Sequence, residues 1–299
     1  MRRTALVRIK ERVIQNFFLL VALTSILVLT LIVLFLFREG IPIFKTVSVK
    51  DFLFGRFWYP TYDPPEFGIF ALIVASVMVT ALASLVAVPL GLLSAIYISE
   101  IASARVKEIL KPIIELLASL PSVVIGFFGM VIVAPFLQET LDIPTGLNVF
   151  NASVMLALMA VPTISSISED AIHAVRRELR EASLALGATQ WETISRVVVP
   201  ASLSGICTAV ILGMSRAIGE TMVVLMVAGG AAAIPESIFD ACRPMPASIA
   251  AEMAEAPFRS DHYYALFATG IVLFFMTLGF NLIADYISHK YKQVGTATL

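Results

Sequence analysis

Six long stretches nearly free of charge dominate this chain: Val13 to Phe37, Phe67 to Ser99, Leu116 to Gln138, Ile143 to Ser168, Val197 to about Gly230, and Tyr263 to Ala284. About 20 apolar residues at 1.5 Å rise cross a hydrocarbon layer roughly 30 Å thick, so each stretch is long enough to span a membrane. Inside lipid a spanning segment must satisfy its own backbone polar groups, which favours helices for runs of this length. The expected fold class is therefore an all-α membrane protein with six transmembrane helices. Composition agrees: 59% of the 299 residues are hydrophobic and 14% are charged, with a mean hydropathy of +0.91, against roughly 25% charged in a soluble chain. The first stretch is too long for a cleaved leader and ends on Leu34-Phe35-Leu36-Phe37-Arg38, so it reads as a retained helix.

Basic residues set the orientation. Taking alternate loops as cytoplasmic places Arg2, Arg3, Arg8, Lys10 and Arg12, then Arg105, Lys107 and Lys111, then Arg176, Arg177, Arg180 and Arg196, then Lys290 and Lys292 inside. Outside stand only Arg38, Lys45, Lys50, Arg56, Arg243 and Arg259. Both termini should be cytoplasmic, with residues 1–12 a cytoplasmic tail and 13–299 a single membrane domain. Two external segments, about 38–66 and 231–262, exceed simple turns, and the second makes Cys242 a position expected to be reachable from outside. Phe57-Trp58-Tyr59-Pro60 in the first suits either a partner surface or an anchor at the lipid headgroups.

Several chemistries are excluded. The formal net charge of −1 gives no field for nucleic acid. Cys207 and Cys242 form no CxxC pair, and His173, His262 and His289 form no HExxH pattern, so no metal or cofactor is expected. None of the 16 glycines is followed by Lys, so the GxxxxGK[ST] loop is absent. Any ATP hydrolysis must lie in a partner, and this chain is not expected to be an enzyme.

The internal loop at about 173–196 carries the clearest pattern. Val175, Leu179, Ala182 and Leu186 recur at helical spacing beside Arg176, Arg177, Arg180 and Glu181. Gly187 supplies the left-handed stop favoured past a helix end, and Thr189 with Glu192 forms a Thr-x-x-Glu capping box opening a second helix that runs into the membrane through Pro200. A short helix, a sharp turn and a second helix can transmit force. The same pattern also suits an amphipathic connector on the membrane surface.

Glu181-Ala182-Ser183, three residues, Gly187, nine residues, then Val197-x-Val199-Pro200 resembles the EAA loop of binding-protein-dependent ABC permeases. In that family the loop docks into a separate ATPase subunit, so the resemblance implies an ABC type I importer permease fold and an ATPase-coupling role for Glu181, Ala182, Ser183, Gly187, Val197, Val199 and Pro200. Val88-Pro89-Leu90-Gly91, Leu120-Pro121-Ser122, Arg216-Ala217-Ile218-Gly219-Glu220 and Phe239-Asp240-x-x-Arg243 look like the phosphate-specific permeases, PstC type. The resemblance implies a phosphate importer in the cytoplasmic membrane, with a PstA-like sister permease, a PstB-like ATPase dimer, a PstS-like external phosphate-binding protein and surrounding lipid as partners.

Arg216 and Glu220 interrupt the fifth stretch, where an intramembrane charge costs about 2.5–3.5 kcal/mol. On one continuous helix from Val197, Arg216 would stand about 28 Å along the axis and one turn from Glu220. Two readings follow. The pair neutralises itself and holds the bundle, or it lines a substrate path, the guanidinium fork gripping phosphate oxygens and the carboxylate accepting from the phosphate hydroxyl. Thr163 and Ser166 in the fourth stretch, with Ser165 and Ser168 nearby, either line the same path or serve helix packing. A permease for sulfate, molybdate or phosphonate is the alternative within the class. An ion-coupled secondary transporter is the alternative outside it, which would need no docking loop and normally shows an internal repeat not evident here.

Overall fold

The computed structural model describes the backbone of residues 2–296 and the side chains of residues 10–286. Arg2, Arg3, Arg8, His289, Lys290 and Lys292 lie outside the described side chains. The chain opens with α1 (Arg2–Gly40), so residues 2–12 are helical and continuous with the first span. The most apolar window of α1 is unburied within this chain, while its last turns pack on the final helix through Phe35–Phe267 and Phe37–Phe275. A 3-10 turn (Ile41–Lys45) leads to α2 (Val49–Phe54), where the Ser48 hydroxyl accepts from the Asp51 N–H at 3.1 Å. An antiparallel hairpin follows, β1 (Trp58–Tyr59) with β2 (Glu66–Phe67), Trp58 opposite Phe67. Strands of two residues are too short for any alternating pattern to reveal.

The second span is α3 (Phe70–Ile96), extended by a π turn at Tyr97–Ile101. Next comes α4 (Ala104–Ser119), which buries no residue. It absorbs Leu116–Ser119, expected in the third span, because Leu120 takes the extended ψ of 132° that a following proline favours, and Pro121 starts a new helix. The third span is therefore Ser122–Leu141, made of α5 (Ser122–Phe128), a π turn (Gly129–Val133) and α6 (Ala134–Leu141). The fourth, α7 (Val149–His173), is shifted from the expected 143–168. Asn148 caps its start by accepting from the Asn151 N–H at 2.9 Å. Its last turns carry Glu169 and Asp170 because Lys111 of α4 meets them at 2.8 and 3.8 Å, and the bond to Glu169 raises the Lys111 ammonium pKa despite some desolvation.

The central contact is α3 against α7. Ala75, Val79, Ala83, Ala87, Gly91 and Ala95, spaced by four, form a stripe of small, buried residues that lets the two backbones approach. A methyl group at Gly91 would meet Ile164 at 2.7 Å, the close approach that excludes a larger residue there.

Beyond α7 lie α8 (Arg177–Ala185), α9 (Gln190–Thr193), a π turn (Ile194–Val198), α10 (Val199–Ala201) and α11 (Leu203–Ile218). The chain ends with α12 (Met222–Val227), α13 (Met245–Glu252) and α14 (Asp261–Thr296). Among the described residues five helical segments are long and apolar enough to cross a membrane, and six if Gln190–Ala201 and Leu203–Ile218, bent by 69°, count as one. That bend corrects the expectation of a straight fifth helix from Val197. Pro200 has no N–H to donate. Just before it the Val199 N–H reaches back five residues to the Ile194 carbonyl, and the Ser202 N–H is shared between the Val198 and Val199 carbonyls. The helix then stops at Ile218, so the stretch does not continue to Gly230 as one element.

Candidate functional sites

The α8–α9 element is built from two local locks. At the first, Gly187 has φ +86°, and a methyl group added to it would meet nothing within 4 Å, so the demand for glycine is conformational rather than steric. The Ala188 N–H bonds the Ser183 carbonyl at 3.2 Å and the Gly187 N–H bonds the Leu184 carbonyl at 3.0 Å, a Schellman closure. At the second, Thr189 and Glu192 form the expected capping box: the Glu192 N–H bonds Thr189 Oγ1 at 3.2 Å and the Thr189 N–H bonds Glu192 Oε2 at 3.0 Å. Ser183 Oγ lies 2.9 Å from Thr193 Oγ1 and links the two helices.

What this element presents is unusual for a loop. Among the described residues Glu181 pairs only with Arg177, at 2.8 Å, and both are exposed. Ala182, Gly187 and Pro200 are exposed, Ser183, Val197 and Val199 half-buried. Of the expected apolar face, Val175 packs beside Ile172 and Val198, whereas Leu179 is exposed and Leu186 is 90% exposed; Leu184 and Trp191 are exposed as well. An open cleft of about 510 Å³ lies alongside, lined by Val175, Arg176, Leu179 and Ser202 among others.

The expected intramembrane pair is not a pair. Arg216 sits in the last turn of α11, and Glu220 falls beyond Gly219, outside the helix, so the one-turn spacing that would bring them together is lost. Among the described residues Arg216 makes no hydrogen bond or ion pair and is exposed on this chain, while Glu220 is half-buried. The neighbouring Ser215 hydroxyl bonds the Asn281 side chain of α14. Thr163 and Ser166 are half-buried on α7. Ser166 lines a cavity of about 10 Å³ with Lys111, Glu115 and Glu169. Ser165 and Ser168 are buried, and among the described residues their hydroxyls have no hydrogen-bond partner.

A further cluster lies at the opposite, hairpin end, and sequence reasoning missed it. Glu252 of α13 accepts from Trp58 Nε1 at 2.9 and 3.0 Å, from Arg243 at 2.6 Å and from Ser248 at 3.2 Å, with His262 Nε2 at 2.8 Å. Trp58 is 2% exposed, so it is core and not a headgroup anchor. Cys242 is also fully buried, its burial raising the thiol pKa to about 12, which corrects the expectation of a reachable thiol. Both cysteines are free, and among the described residues no group of His, Cys, Asp or Glu is arranged to hold a metal. The only advance signal for the cluster was a tryptophan whose indole N–H would need an acceptor once buried.

A multi-span helical protein with a rigid, exposed helix–turn–helix at one end has the architecture of a transporter's membrane subunit. Residues 87–293 match the family described as binding-protein-dependent transport system inner membrane component, and the chain belongs to that family. Among curated relatives, a probable ABC transporter permease protein, YqgH of Bacillus subtilis (strain 168), is 40% identical over 91% of this chain and 88% of its own length. The phosphate transport system permease protein PstC of Mesorhizobium japonicum is 35% identical over 79% of this chain and 77% of its own. Among solved structures, a bacterial alginate ABC transporter in complex with alginate pentasaccharide-bound periplasmic protein aligns with a TM-score of 0.61 at 18% identity, over 92% of this chain and 95% of that one. The inward-facing MetNI methionine ABC transporter aligns at 0.56 and 19%, over 75% and 94%. At those identities the likeness is one of fold, and it is the fold of ABC importer permeases.

Proposed function

We propose that this chain is the transmembrane permease subunit of an ATP-driven importer that carries inorganic phosphate across the cytoplasmic membrane, with both termini cytoplasmic. The observation that carries the reading is the locked α8–α9 element, whose Leu184, Leu186 and Trp191 are exposed among the described residues. Glu181, Ala182, Ser183 and Gly187 sit where an ATPase subunit would dock, and Val197, Val199 and Pro200 carry the motion into the α10–α11 bend. PstC relatives support phosphate as the cargo. A PstB-like ATPase dimer, a PstA-like sister permease and a PstS-like binding protein complete the assembly. The chain itself performs no covalent chemistry.

Arg216, exposed and unpaired with Glu220, is free to face a path formed jointly with the sister subunit, where a guanidinium fork matches phosphate oxygens. Thr163 and Ser166 on α7 supply hydroxyls toward the same route.

Gly187→Val tests the reading. A β-branched residue at φ +86° costs roughly 1–2 kcal/mol and misaims α9, so phosphate uptake should fall by about tenfold at unchanged membrane abundance. Normal uptake at normal abundance removes the coupling role. Uptake of labelled phosphate should resist excess sulfate; competition by sulfate would move the assignment to another oxyanion.

A further inference from the structure

Deepening the coupling reading on which it rests, we infer that Glu100 is a positioning residue, the polar anchor that fastens both α8 and α9 to the end of α3 beside the apolar packing of Val175 and Val198 on Ala95 and Ile172. Glu100 lies in the π turn that ends α3, where the Ala102 N–H bonds the Tyr97 carbonyl at 2.8 Å. Such a turn carries one residue more than an α-helical turn, and π turns of this kind recur at functional sites. The helix ends here, so the Ser99 and Glu100 carbonyls have no intrahelical partners and are open to others. Ser99 O accepts from Lys107 Nζ at 2.7 Å, tying down the start of α4. Glu100 O accepts from Gln190 Nε2 at 3.3 Å, at the first residue of α9.

The side chain of the same residue holds the other helix. Glu100 Oε1 accepts from the Arg180 guanidinium at 2.8 Å, and the same Arg180 nitrogen donates to the Ile172 carbonyl near the end of α7, also at 2.8 Å. Glu100 is 11% and Arg180 24% exposed at the side chain, so the contact is far more sheltered than Arg177–Glu181 on the outer face of α8. The Ser99 hydroxyl donates to Glu100 Oε1 at 3.2 Å and helps fix the rotamer. One residue thus grips α8 by its carboxylate and α9 by its carbonyl, while Arg180 joins both to α7.

The consequence is directional. A push on α8 is delivered to the two helices packed through the Ala75-to-Ala95 stripe, and α4 and the bent α10–α11 segment follow. Without the Glu100 carboxylate, Arg180 keeps its bond to Ile172 of α7 and Gln190 keeps the Glu100 carbonyl, but α8 loses its direct charged link to α3, and its motion is passed on less tightly.

The test uses the assembled importer in proteoliposomes, with phosphate import and ATP hydrolysis measured together. Glu100→Ala should leave hydrolysis and ATPase co-purification intact while phosphate moved per ATP falls by about tenfold. Glu100→Gln, which keeps an acceptor for Arg180, should restore part of that ratio, and it carries the test if the alanine variant does not reach the membrane. An unchanged ratio in both variants, or a loss of import matched by an equal loss of hydrolysis, overturns the proposal. Ala182→Arg on the exposed face of α8 separates this from the underlying reading. If it fails to release the ATPase, the docking assignment itself falls; if it releases the ATPase and Glu100→Ala leaves the ratio unchanged, the anchor alone is wrong.

Discussion

The two ends of the molecule handle polar and apolar groups in opposite ways. At the hairpin end, Glu252 consumes donors from four residues, and Ile43, Phe52, Trp58, Met245 and Leu266 close over one another. Residues far apart in the chain are thereby spent on each other. At the α8 end the turn and cap are local, Glu100 being the distant residue that holds both helices, and Leu184, Leu186, Trp191 and most of the charged side chains of α8 are exposed. An end that satisfies itself is a fixed platform, whereas one that leaves apolar surface open is built for a partner to finish.

The largest expected effect tests the platform. Glu252→Ala strands the Trp58 indole, the Arg243 guanidinium and His262 in a sheltered site, and removing one partner of a buried charged cluster costs about 3–5 kcal/mol. Thermal unfolding of the detergent-solubilised protein should show a clear drop in midpoint, with reduced membrane abundance. A midpoint unchanged by this substitution would mean the hairpin end is held by its apolar cluster alone, and the contrast between the ends would disappear.

The same contrast explains what could be read in advance. Gly187, Thr189 and Glu192 act within a few residues of each other, so the turn and the capping box follow from spacing alone. Most spans are likewise legible, because lipid imposes length and apolarity residue by residue. Glu252 and Trp58, 194 positions apart, share no local period. The bend at Ser202 depends on which carbonyls a proline leaves free, and the end of α11 at Ile218 undid an i, i+4 argument that was sound only for an unbroken helix. Glu100 stood outside every local pattern, since its importance lies in contacts with Arg180 and Gln190, 80 and 90 positions away.

Arg216 gives an intermediate case, an exposed charge inside an apolar stretch that pairs with no other described residue. Arg216→Lys keeps the charge and loses the planar fork, so phosphate uptake should drop while thermal stability and partner assembly persist. Arg216→Met combined with Glu220→Gln removes both charges at once. Since neither neutralises the other here, stability should change by about 1 kcal/mol or less, typical of positions outside a packed network, and uptake should stay low. Near-normal uptake by the double variant at matched abundance would end the transport role of both residues.

The smallest effect is the sharpest control on the comparison. Arg177–Glu181 and Arg243–Glu252 have nearly the same contact distance, 2.8 and 2.6 Å, but their side chains are 86% and 63% exposed in the first pair against 28% and 14% in the second. Distance alone would predict similar losses on breaking either. Water already solvates both members of the exposed pair, so an i, i+4 contact of this kind contributes about 0.3–0.5 kcal/mol and less in salt. Arg177→Ala should therefore leave the unfolding midpoint nearly unchanged and, because Arg177 is one of the open charges of α8, should show its effect as weaker ATPase co-purification. A destabilisation comparable to that of Glu252→Ala would mean that α8 is held by its own surface charges, and that the open end is as self-satisfied as the closed one.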